Sequence, residues 1–105
     1  MIIGVPSDDA LTVSDHFGRS KTFVLIELWN GRERREIVDN PHNSEPNEKR
    51  GHGRLLKMLA ENRVNMVVCV NLNPRMQKNL ESMHIAVTRC EPGSRIDAII
   101  DPLRG

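Results

Sequence analysis

The side chains in this sequence that soft transition metals and metal–sulfur clusters prefer are His16, His42, His52 and His84, together with Cys69 and Cys90. Their spacing contains no Cys-x-x-Cys and no His-x-x-x-His, so it does not match a closed structural zinc site. Two cysteines build neither a disulfide framework nor a four-thiolate site within one chain. An open site, in which one or two ligands and nearby basic groups receive a preformed anionic cluster, fits these residues better. The stretch Thr12-Val13-Ser14-Asp15-His16-Phe17-Gly18-Arg19-Ser20-Lys21 has that character. It places an imidazole, a guanidinium, a glycine and hydroxyls in one short connection between two apolar runs. A second stretch, Gly51-His52-Gly53-Arg54, is expected where the first helix begins. Two glycines there would let backbone N–H groups approach an anion, with Arg19, Lys49 and Arg50 adding positive charge.

Other chemistries fit less well. A two-metal nuclease needs carboxylates placed to hold both ions. The expected first and fourth strands carry no acid in their bodies, and Asp8, Asp9 and Asp15 lie in the turn and loop after the first. A Cys–His hydrolase lacks an identifiable third group to orient its base. The balance of 15 Lys+Arg against 14 Asp+Glu implies no global polyanion or membrane partner. With only Phe17, Phe23 and Trp29 as aromatics, a base-stacking platform for single-stranded nucleic acid is not expected. The short apolar start Met1 to Pro6 does not read as a signal segment, and no apolar run reaches membrane-spanning length. A cytoplasmic protein is the expectation, monomeric or weakly dimeric.

At 105 residues the chain is expected to form one domain over 1–105. Ile2 to Pro6 reads as a short buried strand, and Lys21 to Leu28 as a second, rich in β-branched residues. Asn30-Gly31 signals a hairpin into an antiparallel third strand, Glu33 to Asp39, whose charges suggest an edge. A polar loop over 40–53 precedes a helix from Arg54 to Asn62, with Leu55, Leu56, Leu59 and Ala60 on one face. Val64 to Val70 is a central strand. Asn73-Pro74 opens a helix with Met76, Leu80 and Met83 inward. His84 to Thr88 is the fifth strand, followed by a short helix with Ile96, Ile99 and Ile100 inward, stopped by Pro102.

This βββαβαβα order argues for an α/β fold with a mixed sheet. Right-handed crossovers place strand 4 beside strand 1 and strand 5 beside strand 4. The expected order is 3-2-1-4-5 with strand 2 antiparallel, a ribonuclease-H-like three-layer arrangement. Connections 7–20, 39–53, 71–74 and 88–94 then converge at one sheet edge, where open α/β sheets bind ligands. His16, Arg19, His42, His52, Cys69 and Cys90 can approach that edge. His84 falls at the opposite one.

Val13-Ser14-Asp15-His16-Phe17-Gly18-Arg19, Asp39-Asn40-Pro41-His42 and Gly51-His52-Gly53, in this order, resemble the dinitrogenase iron–molybdenum cofactor biosynthesis family, the nitrogenase accessory factor-like group. The resemblance covers Ile2 to about Ile100, and the loop around His16 is its most specific part. It implies binding or delivery of a metal–sulfur cluster rather than catalysis. The cluster would be iron–sulfur, iron–molybdenum or molybdenum–copper sulfide, and the partners its donor or acceptor proteins. By position, His16 and Arg19 match the family's first loop, and His42 and His52 its second. The sequence departs from the family at Asn71-Leu72-Asn73-Pro74, where a glycine-rich turn is usual, and at Met76, where a small residue is common. The candidate cofactor-binding set is therefore His16, Arg19, His42, Gly51, His52, Gly53, Asn71 and Cys90. Candidate direct metal ligands are His16, His52 and Cys69. The competing reading is a non-metal anion-binding or regulatory interaction module on the same edge.

Overall fold

The computed structural model describes residues 1–104. Its elements are β1 (Ile2–Ser7), β2 (Thr22–Trp29), β3 (Arg32–Asp39), α1 (Glu48–Glu61), β4 (Met66–Cys69), α2 (Pro74–Ser82), β5 (Ala86–Arg89) and α3 (Ile96–Ile100), closed by a 3₁₀ turn, Asp101–Arg104. The sheet order is β3-β2-β1-β4-β5. β2 runs antiparallel to β1 and β3, while β1, β4 and β5 run parallel. This is the mixed sheet of a ribonuclease-H-like three-layer fold.

Local chemistry sets the pairing. Trp29 pairs with Arg32 across a two-residue loop in which Asn30 has φ 47° and Gly31 φ 73°. Two successive left-handed residues make the turn whose twist matches a hairpin, and Asn-Gly tolerates it best. The alternation along β2 sends Phe23 and Leu25 to one face of the sheet and Val24, Ile26 and Leu28 to the other. Leu55 and Leu59 of α1, with Met76 and Leu80 of α2, cover the first face. Ile96 and Ile100 of α3 cover the second, with Val13 from the loop after β1. No helix among the described residues is long and apolar enough to cross a membrane.

The ends of β2 to β5 shift by one or two residues from expectation, β4 to Met66–Cys69 and β5 to Ala86–Arg89, and two further differences have a local cause. β1 runs through Pro6 to Ser7, because Pro6 faces only β2: β4 pairs with β1 no further than Gly4. With no ladder on that side, a missing N–H is tolerated. The larger difference is α1, which starts at Glu48 instead of Arg54. Asn47 caps it, its side chain accepting from Arg50 N–H at 2.9 Å. Gly51 and Gly53 are therefore helical residues, and Gly51 N–H is bonded to Asn47 C=O at 2.8 Å. The anion-accepting glycine turn expected at 51–53 does not form.

The loop after β1 is fixed by two acids. Asp8 accepts from Lys21 N–H at 2.8 Å and from the Ser14 hydroxyl at 3.3 Å. Asp9 Oδ1 accepts from the N–H groups of Thr12 (2.8 Å) and Leu11 (2.9 Å), and its Oδ2 from the Thr12 hydroxyl at 2.9 Å. Main-chain bonds from Ser14 to Pro6 and from Val13 to Ser94 hold the same loop against the sheet and the start of α3.

The donors on Asp9, chiefly Thr12 N–H and then Leu11 N–H, hold its carboxyl at about 2, below the ordinary 3.8. A depressed folded pKa contributes stability that is present above the unfolded value and lost as pH falls through the folded one. Replacing Asp9 by Asn should flatten that part of the acid limb. Urea midpoints at pH 5 and pH 2 should converge more in Asp9→Asn than in wild type; equal pH dependence in both would contradict the role given to Asp9.

Candidate functional site

The connections at the carboxyl ends of β1, β3 and β4, with the end of β5, line a cavity of about 500 Å³. The first loop contributes Asp15 to Arg19. The second loop and α1 contribute His42, Glu48 and His52. Asn71, Leu72, Asn73 and Met76 come from the turn after β4 and from α2, and Arg89 from the end of β5.

Asn40 and Arg19 lock the first two loops together. The buried Asn40 donates to the Ser20 hydroxyl at 3.2 Å and accepts from His42 N–H at 3.0 Å. Arg19 crosses in the other direction, donating to the carbonyls of His42 (2.9 Å) and Glu45 (3.1 Å) and to Glu48 Oε1. Beneath them Phe17 is buried edge-on against Phe23, ring centres 5.2 Å apart. Its role is to anchor the loop in the core, so that His16 is carried exposed at the cavity. Asn71 ties in the third connection, donating to Asp15 C=O at 3.4 Å.

His42 is 1% exposed. Its Nδ1 lies against Gly51 and has no hydrogen-bond partner among the described residues. A β-carbon on Gly51 would sit 2.6 Å from that nitrogen. Gly51 is thus required by the approach of an imidazole to the helix, not by a turn. On the other side of the ring, Nε2 is 3.4 Å from Glu48 Oε2. His52, one turn along α1 from Glu48, brings its Nε2 to 3.7 Å from the same oxygen. The two imidazoles meet edge to face with centres 4.7 Å apart. The Arg19 hydrogen bond holds the Glu48 carboxyl below the usual carboxylate range. Burial first, and then the neighbouring His42, push His52 below the ordinary histidine value. A neutral imidazole with an available lone pair beside an ionised carboxylate is the state that ligates metals.

The structure brings His16, Arg19, His42, His52 and Asn71 to one cavity. It does not bring the cysteines there. Cys69 is fully buried between the sheet and α1/α2, and Cys90 packs on the α3 side. Burial pushes both thiols up, away from the thiolate form that binds metals. Gly53 lies in α1 with open space where a β-carbon would sit, and Gly51 supports His42 from behind. Sequence reasoning missed Glu48 and Arg89. Glu48 was findable: Asn47 is a helix cap, and Glu48 and His52 then share a helix face at i,i+4. Arg89 carried no local signal beyond lying at the end of a strand.

The sequence profile of the family described as dinitrogenase iron–molybdenum cofactor matches residues 1–104. Among solved structures, the protein PH0822 superposes with a TM-score of 0.79 at 24% identity, covering 100% of this chain and 91% of that one. The apo form of the orange protein from Desulfovibrio gigas superposes with a TM-score of 0.77 at 20% identity, covering 97% and 86%. At these identities the structures share the fold with this chain. Among curated proteins no sequence match is found.

The two helical glycines should respond oppositely to alanine. Gly51→Ala drives a methyl into the buried His42 ring and should cost about 1–3 kcal/mol. Gly53→Ala meets open space and should stabilise α1 by about 0.5–1 kcal/mol. Denaturant unfolding of the pair checks this; a neutral Gly51→Ala would remove the close approach from the account.

Proposed function

The chain belongs to the dinitrogenase iron–molybdenum cofactor family, and on that premise we propose that it binds a metal–sulfur cluster in the His16–His42–His52 cavity and hands it on as a carrier. The observation carrying this reading is the lining itself. Three imidazoles and the guanidiniums of Arg19 and Arg89 face a volume of about 500 Å³, on the edge where open α/β sheets receive ligands. That donor set fits an anionic sulfide cluster that brings its own sulfurs and is held by imidazole nitrogen and positive charge. It does not fit a cluster held by cysteine thiolates, since both thiols lie outside the cavity.

The cluster is cargo, and its redox or catalytic chemistry belongs to the protein that receives it. This chain's residues hold and release. His16, exposed at the rim, is the donor an incoming cluster meets first, while His52 is set deeper and steadied by Glu48. Arg19 and Arg89 compensate cluster charge. Soft sulfide clusters prefer thiolates to imidazoles, so a thiolate-bearing acceptor draws the cargo away. Leu72 and Met76 stand where the resemblance leads one to expect glycine and a small residue. They give one wall of the cavity an apolar surface. Of the three acids after β1, Asp8 and Asp9 are engaged in holding their own loop. The anion seat expected at Gly51–Gly53 is lost, because Gly51 N–H is bonded within α1.

Protein incubated anaerobically with an iron–sulfur or thiomolybdate-type cluster and then desalted should keep charge-transfer absorption. His16→Ala and His52→Ala should each retain less. Equal uptake by wild type and both variants, or uptake by none, overturns the assignment.

A further inference from the structure

We propose that His42, Glu48 and His52 form a binding site for a single divalent first-row transition ion of the zinc and cobalt class. One ligand atom from each of the three lies within 4.8 Å of the other two. With metal–nitrogen and metal–oxygen bonds of about 2.0–2.2 Å, a tetrahedral ion needs its ligand atoms roughly 3.4 Å apart. Glu48 Oε2 lies 3.4 Å from His42 Nε2 and 3.7 Å from His52 Nε2. Those two edges lie close to that spacing, and the third, between the two imidazoles and within 4.8 Å, closes by a rotation of the half-buried His52 ring.

The surroundings prepare these atoms. Arg19 engages Glu48 through Oε1, which turns Oε2 towards the imidazoles and favours one-oxygen ligation. His42 cannot swing away: its ring is buried, its main-chain N–H is held by Asn40 and its Nδ1 face rests on Gly51. With Nδ1 buried against Gly51, Nε2 is the nitrogen that faces Glu48 and the cavity. Three protein ligands on one side and an open cavity on the other leave a fourth position for an exogenous ligand, the arrangement of an open rather than a structural site. This inference goes beyond the carrier reading, since a lone ion requires neither His16 nor Arg89.

The test is titration of metal-free full-length protein with cobalt(II) under anaerobic conditions. One ion per chain should bind with the intense visible d–d bands of a tetrahedral site and without a sulfur-to-cobalt charge-transfer band. Cys90→Ala should leave this spectrum unchanged. His52→Ala should abolish the bands. Glu48→Gln should weaken affinity by more than the roughly 10–100-fold typical of losing an outer partner, with circular dichroism showing both variants folded. Failure of wild type to bind cobalt, or wild-type-like binding by folded His52→Ala and Glu48→Gln, overturns the proposal. Cluster uptake without cobalt binding would sink the ion site and leave the carrier reading standing. Cobalt binding without cluster uptake would do the reverse.

Discussion

Arg19 joins the two loops on which the site depends. Its guanidinium donates to two main-chain carbonyls, those of His42 and Glu45, and to the Glu48 carboxylate at the start of α1. An exposed ion pair alone contributes little, roughly 0–1 kcal/mol. Charge-assisted bonds to carbonyls in a fixed fork geometry contribute more and specify more. Here they set the distance between the first loop and the helix that bears His52. With the Asn40 bonds to the first loop, they hold His16 of that loop near His52 on α1. The same contact lowers the Glu48 pKa and orients its carboxylate, so one side chain controls both the shape and the charge of the cavity wall.

The fold was legible because its signals were local. Asn30-Gly31 specified the hairpin, the apolar runs specified β2 and β4, and the handedness of crossovers then left one order for the parallel strands. The cavity's position followed from that order. Its detailed composition did not, for two physical reasons. Gly51 and Gly53 read as a ligand-approaching turn at the helix start, yet a cap at Asn47 and the burial of Leu55 and Leu59 outweigh a helix penalty of about 1 kcal/mol per glycine. Moving the helix start back by six residues converted Glu48 from a loop acid into a partner for His42 and His52. The cysteines illustrate the second reason. Position along a strand places Cys69 near the edge, but strand alternation decides which face it joins, and it joins the core under α1 and α2.

Excluding the thiols changes the character of the site. A cluster bound by cysteine is a resident; one held by imidazoles and guanidiniums beside a pinned carboxylate is held less firmly. The motif residues divide accordingly. Asn40 and Phe17 build the loop junction, Gly51 makes room for His42, and His16 and His52 face the cavity. Much of what resembles a binding motif in the sequence is thus scaffold, and a smaller part is chemistry.

The claim that the cavity rather than the cysteines holds the cargo is tested most directly on a thiol-free chain. The double variant Cys69→Ala/Cys90→Ala, shown to be folded, would be loaded anaerobically with the same cluster as wild type, and metal per chain and visible absorption compared. The account predicts equal stoichiometry and the same charge-transfer bands. A folded thiol-free protein that fails to retain the cluster would contradict it.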